Sequence, residues 1–182
     1  MTGDAKREGF TLWMTGLPGS GKSTLAGVLK TKLEKEHGVR VEILDGDEVR
    51  KGLSRDLGLS REDREEHAWR VSFVSKLLSR NGVVSIVALI SPYRTSRESA
   101  KEMIGPERFL EVYVKASLAV CEMRDPKGLY AKARKGQITN MTGIQDPYEE
   151  PVDPDIVVET EKGSPEASAA VVIQELQRRR RL

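Results

Sequence analysis

The sequence predicts an α/β fold, a three-layer α/β/α domain built around a predominantly parallel five-stranded sheet. Short apolar segments rich in β-branched residues alternate along the chain with segments whose apolar residues recur at helical spacing. Strands that alternate with helices form βαβ units, which place helices on both faces of a parallel sheet. Of the 182 residues, 38% are hydrophobic and 32% charged, which suits a single domain over 1–182.

The first half of the chain contains three predicted strands and two predicted helices. The strands are 10–15, 39–44 and 83–89, and the helices are 22–37 and 63–80. Gly38 and the Asn81-Gly82 pair end the two helices, since glycine readily adopts the left-handed conformation that closes a helix. The third strand is apolar except for Ser85, which indicates burial on both faces of the sheet.

The second half continues the alternation and then interrupts it. Its predicted strands are 109–114 and 156–158, and its predicted helices are 94–104, 118–123 and 165–180. The segment 125–154 lacks a sustained period, and long irregular segments in compact domains are commonly functional. Basic residues gather in 124–136 and acidic residues in 145–161. We expect either a solvated surface loop or a lid that brings cations over an anionic ligand.

Charge and cysteine content argue against several classes of protein. There are 30 Lys and Arg residues against 28 Asp and Glu residues, a net charge of +2, and aromatic residues make up only 5%. This composition gives no support for a nucleic acid polymer or a membrane surface as partner. Cys121 is the only cysteine, which excludes an intramolecular disulfide and suits a cytoplasmic location.

The N-terminal segment and the lengths of the apolar runs also argue against secretion and membrane insertion. The tail 1–8 is polar and lacks the apolar core of a secretory signal. The longest uninterrupted apolar run, 86–90, is far too short to span a bilayer. The arginines at 178–181 suit a solvated helix end, where cations complement the helix dipole. A cytoplasmic protein is therefore expected.

A phosphate-binding loop follows the first predicted strand. Residues 16–23 match the pattern G-x-x-x-x-G-K-[ST] between a strand and a helix, the context that confirms the motif. Its glycines let backbone N–H groups face a phosphate, Lys22 reaches the β and γ phosphates, and Ser23 offers its hydroxyl to Mg²⁺. The sequence therefore predicts a nucleoside triphosphate site. It has no Asn-Lys-x-Asp stretch of the kind that selects guanine.

Two carboxylates leave the second predicted strand, at the sheet edge where open α/β folds bind ligands. Asp45 and Asp47 flank Gly46, and one of them can orient a magnesium-bound water or accept a proton from an attacking hydroxyl. The alternative is an ordinary Asp-Gly turn. Arg50 and Arg64 follow, and guanidinium groups hold phosphate or sulfate by paired N–H bonds. Because acids are mixed among these arginines, surface ion pairs are the alternative interpretation.

Seven strings of residues occur in an order that matches a known family. They are Gly16–Thr24, Leu44–Arg50, Arg55–Gly58, Asp63-Arg64, Ile90–Arg94, Arg124–Tyr130 and Thr142–Ile144. Together they resemble adenylyl-sulfate kinase (APS kinase). The resemblance implies a P-loop kinase-like fold with a lid loop. It also implies ATP-dependent, Mg²⁺-assisted phosphorylation of the 3′-hydroxyl of adenosine 5′-phosphosulfate (adenylyl sulfate) to 3′-phosphoadenosine 5′-phosphosulfate in sulfate assimilation.

The resemblance also implies roles for individual residues. The catalytic residues would be Lys22, Asp45, Asp47 and Ser91, and the metal would be held by Ser23 and Asp45. ATP would contact Gly16, Leu17, Pro18, Gly19, Ser20, Gly21, Lys22, Ser23, Thr24 and Arg124. Adenylyl sulfate would contact Asp47, Arg50, Leu59, Arg64, His67, Ile90, Ser91, Lys127, Asn140 and Met141. The family further implies a homodimer and a functional link to ATP sulfurylase.

Three positions depart from the family's usual residues. Leu59 and Met141 stand where phenylalanines would sandwich the adenine of adenylyl sulfate, and His67 stands where an asparagine is usual. Aliphatic side chains still cover a purine by dispersion, but stacking worth about 1 to 3 kcal/mol per base is weakened. His67 either hydrogen-bonds the acceptor or lies on the helix surface. The alternative functions are a P-loop kinase for another small nucleotide-like hydroxyl acceptor and a nucleotide-binding protein without turnover.

Ser91 has two competing interpretations. Family descriptions include a phosphoenzyme intermediate at this serine, but no base is evident beside it in the sequence. Ser91 directly follows a strand, and Pro92 suits the first position of a helix. We therefore predict that Ser91 caps that helix and contacts the substrate, and that the phosphoryl group passes directly to the acceptor.

Overall fold

Five parallel strands form one sheet in the computed structural model, which describes residues 9–182; the predicted tail 1–8 lies outside the described residues. The strands are β1 (Thr11–Thr15), β2 (Val41–Asp45), β3 (Val84–Ala88), β4 (Phe109–Lys115) and β5 (Ile156–Glu159). Their order across the sheet is β2-β3-β1-β4-β5, and every neighbouring pair is parallel. The predicted five-stranded sheet is confirmed.

Seven helices connect the strands in the described part of the chain. They are α1 (Lys22–His37), α2 (Gly46–Lys51), α3 (Arg61–Arg80), α4 (Arg94–Ile104), α5 (Leu118–Arg124), α6 (Leu129–Arg134) and α7 (Pro165–Arg178). The sequence predicted all of them except α2 and α6. Each of these has six residues, too few for an apolar periodicity to be read. Within residues 9–182, no helix combines the length and the apolar character that crossing a membrane requires.

The core is split between the two faces of the sheet, as the three-layer prediction requires. On one face, Leu25 and Leu29 of α1 and Val172 of α7 belong to a cluster built on alternate strand residues, and all three are at most 1% exposed. On the other face, a second cluster contains Trp13 of β1 and Val71 of α3. Burial on both faces explains why β1 and β3 are fully buried apolar segments.

The carboxyl ends of the parallel strands meet at one edge of the sheet. Because β3 lies between β2 and β1 in the sheet, the segments that follow β1, β2 and β3 are brought side by side. These segments are the glycine loop 16–21, the Asp45–Asp47 turn and Ile90-Ser91. Ligands of open α/β folds bind at this edge.

Candidate active site

A cavity of about 810 Å³ opens at the carboxyl edge of the sheet. This volume lies within the range of ligand pockets. Every site residue predicted from the sequence lines the cavity except Gly16, Leu17 and Ser20. The structure therefore brings the predicted donor and acceptor residues into one chamber, although they are spread from position 18 to position 141.

The glycine loop requires glycine at two points, at one for lack of space and at the other for its backbone conformation. Gly16 has φ 155°, and a Cβ there would lie 2.4 Å from the carbonyl oxygen of Val114. Gly21, with φ 102°, immediately precedes α1 in a left-handed conformation that only glycine adopts readily. The loop thereby delivers the backbone directly into the N-terminus of α1, where the helix dipole favours an anion.

Lys22 is folded back onto the loop that carries it. Its Nζ donates to the carbonyl oxygens of Gly16 (2.8 Å) and Leu17 (2.7 Å) and to Ser20 Oγ (3.2 Å). Burial lowers the pKa of Lys22 to about 7, against a smaller opposing effect from Cys121. A bound polyphosphate would supply the negative charge that this buried amine lacks.

Ser23 and Asp45 meet beside the N-terminus of α1. The Ser23 hydroxyl donates to Asp45 Oδ2 at 2.5 Å. The other carboxylate oxygen of Asp45 accepts from the backbone N–H of Asp47 at 3.0 Å, so Asp45 is the N-cap of α2. The Asp-Gly pair is therefore a helix cap that fixes one carboxylate against the phosphate loop, and not the ordinary Asp-Gly turn that was the alternative interpretation.

Asp47 forms an ion pair with Lys127 across the cavity. Lys127 belongs to the segment 125–154, and the two side chains are more than half exposed. Exposed ion pairs contribute at most about 1 kcal/mol. An anionic ligand could therefore compete with Asp47 for Lys127 at little cost.

Arg50 and Arg64 hold backbone carbonyls around the far end of the cavity. Arg50 Nη1 donates to the carbonyl of Gly58 at 2.8 Å, and Arg64 donates from Nε to Leu59 (3.1 Å) and from Nη2 to Asn140 (2.8 Å). Burial lowers the pKa of both arginines. Arg64 Nε also forms an ion pair with Asp146 Oδ2 at 3.9 Å, where the Arg64 side chain is only 8% exposed. The surface ion-pair interpretation therefore describes neither arginine.

The ion-pair interpretation holds for the neighbouring arginines. Arg70 pairs with Asp56 at 2.7 Å and with Glu66 at 2.8 Å, and Arg61 pairs with Glu65 at 3.1 Å. These arginines do not line the cavity. The arginines of this region therefore divide into those that reach the chamber and those that stabilise its outer surface.

His67 lies inside the chamber and not on the helix surface. It is 5% exposed, and neither ring nitrogen has a hydrogen-bond partner among the described residues. Burial, and next the charge of Arg50, lowers its pKa to about 4. An unsatisfied buried imidazole is costly without a ligand, so the surface interpretation of His67 is wrong.

This burial predicts that His67 contributes to the pH dependence of stability. Its pKa is lower in the folded state than its usual 6.5, so the unfolded chain binds the proton first and stability falls below pH 6.5. From pH 7 to pH 5 we expect the His67→Asn variant to lose about 2 kcal/mol less unfolding free energy than the parent. Urea denaturation at both pH values measures this.

Leu59 and Met141 face the same chamber with different exposure. Leu59 is 46% exposed, whereas Met141 is 6% exposed and packs with Cys121 and Tyr130 in a separate small core. An aliphatic pair therefore borders the acceptor end. Flat aromatic stacking on both sides of a base is not available from these two positions.

Ser91 does not cap a helix, so that prediction is wrong. Helix α4 begins at Arg94, and its N-cap is Tyr93. Ser91 instead has φ 42°, and its Oγ accepts a hydrogen bond from the indole Nε1 of Trp13 at 3.1 Å. No carboxylate or imidazole within residues 9–182 hydrogen-bonds this hydroxyl, so Ser91 lacks the base that a nucleophilic serine requires.

The segment 125–154 covers the cavity from the side of the glycine loop. It contains α6, which the sequence did not predict, and Tyr130 of that helix donates from its hydroxyl to the carbonyl of Pro18 at 2.9 Å. Lys127, Asn140 and Met141 line the chamber from this segment. The position of the segment 125–154 beside the cavity therefore agrees with the lid interpretation.

Sequence reasoning missed the residues that follow β5. Thr160, Gly163, Pro165 and Ser168 line the cavity. The Thr160 hydroxyl donates to the carbonyl of Ser20 at 2.7 Å, and Arg124 donates to the carbonyl of Thr160 at 2.8 Å. The signal that could have found them is topological, because the end of a fifth parallel strand lies on the same edge as the glycine loop.

Comparison with known proteins gives a consistent result. The family model described as adenylylsulphate kinase matches residues 8–159. The adenylyl-sulfate kinase of Halothermothrix orenii is 53% identical over 171 residues, which cover 94% of this chain and 91% of that protein. The adenylyl-sulfate kinase of Staphylococcus carnosus is 52% identical over 166 residues, covering 91% and 83%.

A solved structure agrees with the sequence relatives. The structure of Mycobacterium tuberculosis APS kinase CysC in complex with AMPPNP and APS superimposes with a TM-score of 0.90 at 44% identity. The match covers 93% of this chain and 98% of that chain.

Proposed function

The chain belongs to the adenylyl-sulfate kinase family, and we propose that it transfers the γ-phosphoryl group of ATP to the 3′-hydroxyl of adenylyl sulfate, giving 3′-phosphoadenosine 5′-phosphosulfate and ADP. The observation that carries this proposal is the single chamber in which a phosphate-binding loop and the Asp45–Asp47 carboxylates face each other. The solved relative that holds both AMPPNP and APS supports the same two-ligand arrangement.

The donor is placed by the glycine loop and the segment after β5. The triphosphate would lie on the N-terminus of α1, with Lys22 leaving its three loop contacts for the β and γ phosphates. Arg124 and Thr160 would border the base of ATP, since they lie beside the loop at the other end from Asp45. This arrangement supports ATP as the donor.

Mg²⁺ fits the oxygen ligands that the structure places together. Ser23 Oγ and Asp45 Oδ2 are 2.5 Å apart beside the phosphate loop, and Mg²⁺ prefers oxygen and keeps several waters. Residues 9–182 contain no group of three or more His, Cys, Asp and Glu suited to a metal. Phosphate oxygens and water would therefore complete its coordination. The ion supplies neutralising charge on the transferring phosphoryl group.

The acceptor is placed by groups on α2, α3 and the lid. Arg50, Arg64 and Lys127 provide cations for the phosphosulfate, and His67 and Asn140 provide hydrogen-bonding groups for the nucleoside. Leu59 and Met141 would cover the adenine by dispersion. Each of these side chains borders the cavity, which supports their joint assignment to the acceptor.

Transfer itself needs alignment more than covalent chemistry. The 3′-hydroxyl oxygen attacks the γ-phosphorus, its proton passes to the Asp45 carboxylate, and the bond from the γ-phosphorus to the β–γ bridging oxygen breaks to leave ADP. Lys22 and the lid cation Lys127 absorb charge on the moving phosphoryl group. Ser91 would contact the acceptor without carrying a phosphoryl group, because no base adjoins it.

Coupled detection of ADP release tests the proposed acceptor. With ATP and Mg²⁺, we expect turnover with adenylyl sulfate and only background ADP with shikimate, gluconate or AMP. These controls offer other hydroxyl acceptors of kinases with the P-loop. Turnover with one of them and none with adenylyl sulfate would overturn the proposal, and ATP binding without turnover on any acceptor would leave a nucleotide-binding protein.

The proposed function also leads us to expect a particular oligomeric state, location and source of the substrate. We expect a homodimer in the cytoplasm, using adenylyl sulfate made by ATP sulfurylase. Light scattering at several protein concentrations measures the mass of the particle. A mass that corresponds to one chain at every concentration would contradict the dimer.

A further inference from the structure

Arg97 is a deeply buried cation that does not line the cavity. It lies on α4 and is 3% exposed. Its guanidinium donates to the carbonyl of Ser91, to the carbonyl of Glu149 and to Glu111 Oε1, each at 2.7 Å. These acceptors belong to the loop after β3, to the end of the lid and to β4. One side chain therefore joins three segments that are distant in the sequence.

The loop after β3 needs such support. Ser91 has φ 42°, a left-handed conformation that is unfavourable for a residue other than glycine and persists only where its surroundings hold it. The Ser91 carbonyl also accepts from Thr15 Oγ1 at 3.2 Å, and its Oγ accepts from Trp13. Ile90 and Ser91 both line the cavity. The conformation of this loop therefore sets one wall of the acceptor site.

The end of the lid is tied to the same loop. The Glu149 N–H donates to the carbonyl of Pro92 at 2.8 Å, and Glu149 Oε2 accepts from the backbone N–H of Arg94 at 2.8 Å. The hydroxyl of Tyr148 is 2.9 Å from Thr15 Oγ1. Arg97 completes this junction from inside the protein, because it bonds the Ser91 and Glu149 carbonyls with two nitrogens of one planar group.

We propose that Arg97 is a positioning residue for the acceptor, which acts by holding the Ser91 wall and the end of the lid in one fixed relation. This inference rests on the proposed function, because the acceptor it serves is adenylyl sulfate. This arrangement requires the planar guanidinium of arginine, whose nitrogens bond two carbonyls and one carboxylate at the same time. A lysine ammonium is a compact charge that cannot reach all three acceptors. Arg97 touches no reacting atom.

The Arg97→Lys variant separates positioning from charge. Lysine keeps the ion pair with Glu111 but loses the bonds to the carbonyls, and hydrogen bonds from a charged donor are stronger than those between neutral groups. We expect the KM for adenylyl sulfate to rise about tenfold or more while the KM for ATP changes less than about twofold. The donor end is unaffected because Arg97 does not contact the glycine loop.

A matched control distinguishes this role from a purely structural one. Glu111→Gln removes the ion pair from the same guanidinium but leaves its bonds to Ser91 and Glu149. We expect it to lower the melting temperature without raising the KM for adenylyl sulfate. If both variants change this KM in proportion to their loss of stability, Arg97 is only structural and the inference is wrong.

A double variant decides the matter if Arg97→Lys does not fold. Arg97→Met with Glu111→Leu replaces the buried ion pair by apolar side chains, which commonly preserves stability. The KM for adenylyl sulfate should rise as in Arg97→Lys, and an unchanged KM would overturn the inference. The parent is measured first: no turnover of adenylyl sulfate by the parent refutes the proposed function, whereas parent turnover with unchanged KM in these variants refutes only the role of Arg97.

Discussion

The Asp45→Asn variant is expected to lower kcat by about 10³-fold or more while it leaves ATP binding within about threefold of the parent. The substitution isolates the charge of the carboxylate, because asparagine is as good an N-cap as aspartate and can still accept from the N–H of Asp47. It removes the anionic oxygen that accepts from Ser23 and that would take the proton of the acceptor. Single-turnover transfer and equilibrium binding of ATP measure the two effects separately.

Two further variants sharpen this prediction. Asp45→Glu keeps the charge but moves it by one methylene, and we expect a loss of kcat between those of the parent and Asp45→Asn. Asp153→Asn changes an exposed aspartate outside the chamber and should match the parent. Parent-like transfer by Asp45→Asn would remove this carboxylate from the mechanism, and transfer that falls only in proportion to ATP binding would reduce its role to holding the donor.

The donor end could be predicted from the sequence because its chemistry is local. The glycine loop, Lys22 and Ser23 are contiguous, and a strand before and a helix after them fix their geometry. Asp45 and Asp47 could be placed because the carboxyl ends of parallel strands share an edge. The residues after β5 satisfy the same topological rule, but Thr160 belongs to no motif and its place beside the loop depends on the packing of α7.

The acceptor end depends on contacts that no local pattern contains. The Lys127–Asp47 pair joins residues 80 positions apart, and Arg64 reaches Asn140 over 76 positions. His67 illustrates the same limit. Helical periodicity gives the angle of a side chain around α3, but whether that angle faces water or a cavity depends on the lid above it.

At Ser91, contacts with residues distant in the sequence override the local pattern that predicts a helix N-cap. A serine after a strand and before a proline has the features of an N-cap. Yet the Ser91 carbonyl bonds Arg97, which lies one and a half turns along the helix that Ser91 was predicted to cap. That bond and the one from Thr15 keep Ser91 in a left-handed conformation, and the helix begins at Arg94, where the sequence also predicted its start.

Lys22 is the subject of the second prediction with a large expected effect, which concerns proton uptake on ATP binding as well as kcat. With a pKa of about 7 before nucleotide binds, about nine-tenths of these amines are neutral at pH 8. A triphosphate restores the charged form, while a terminal phosphate with a pKa near 6 has already lost its own proton at this pH. We expect ATP binding at pH 8 to take up between about 0.5 and 1 proton. Calorimetry in two buffers with different ionisation enthalpies measures this number.

Two substitutions of Lys22 assign that proton to its side chain. Lys22→Arg keeps a charge that does not titrate, and Lys22→Met has none, so neither should take up a proton on binding ATP. Lys35→Met, an exposed lysine at the far end of α1, should behave as the parent. We expect Lys22→Met to lower kcat by about 10³-fold or more, because it removes a donor aimed at charge that develops on the phosphoryl group. Proton uptake that persists in Lys22→Met would show that another group titrates, and Lys22 would then be charged throughout the reaction.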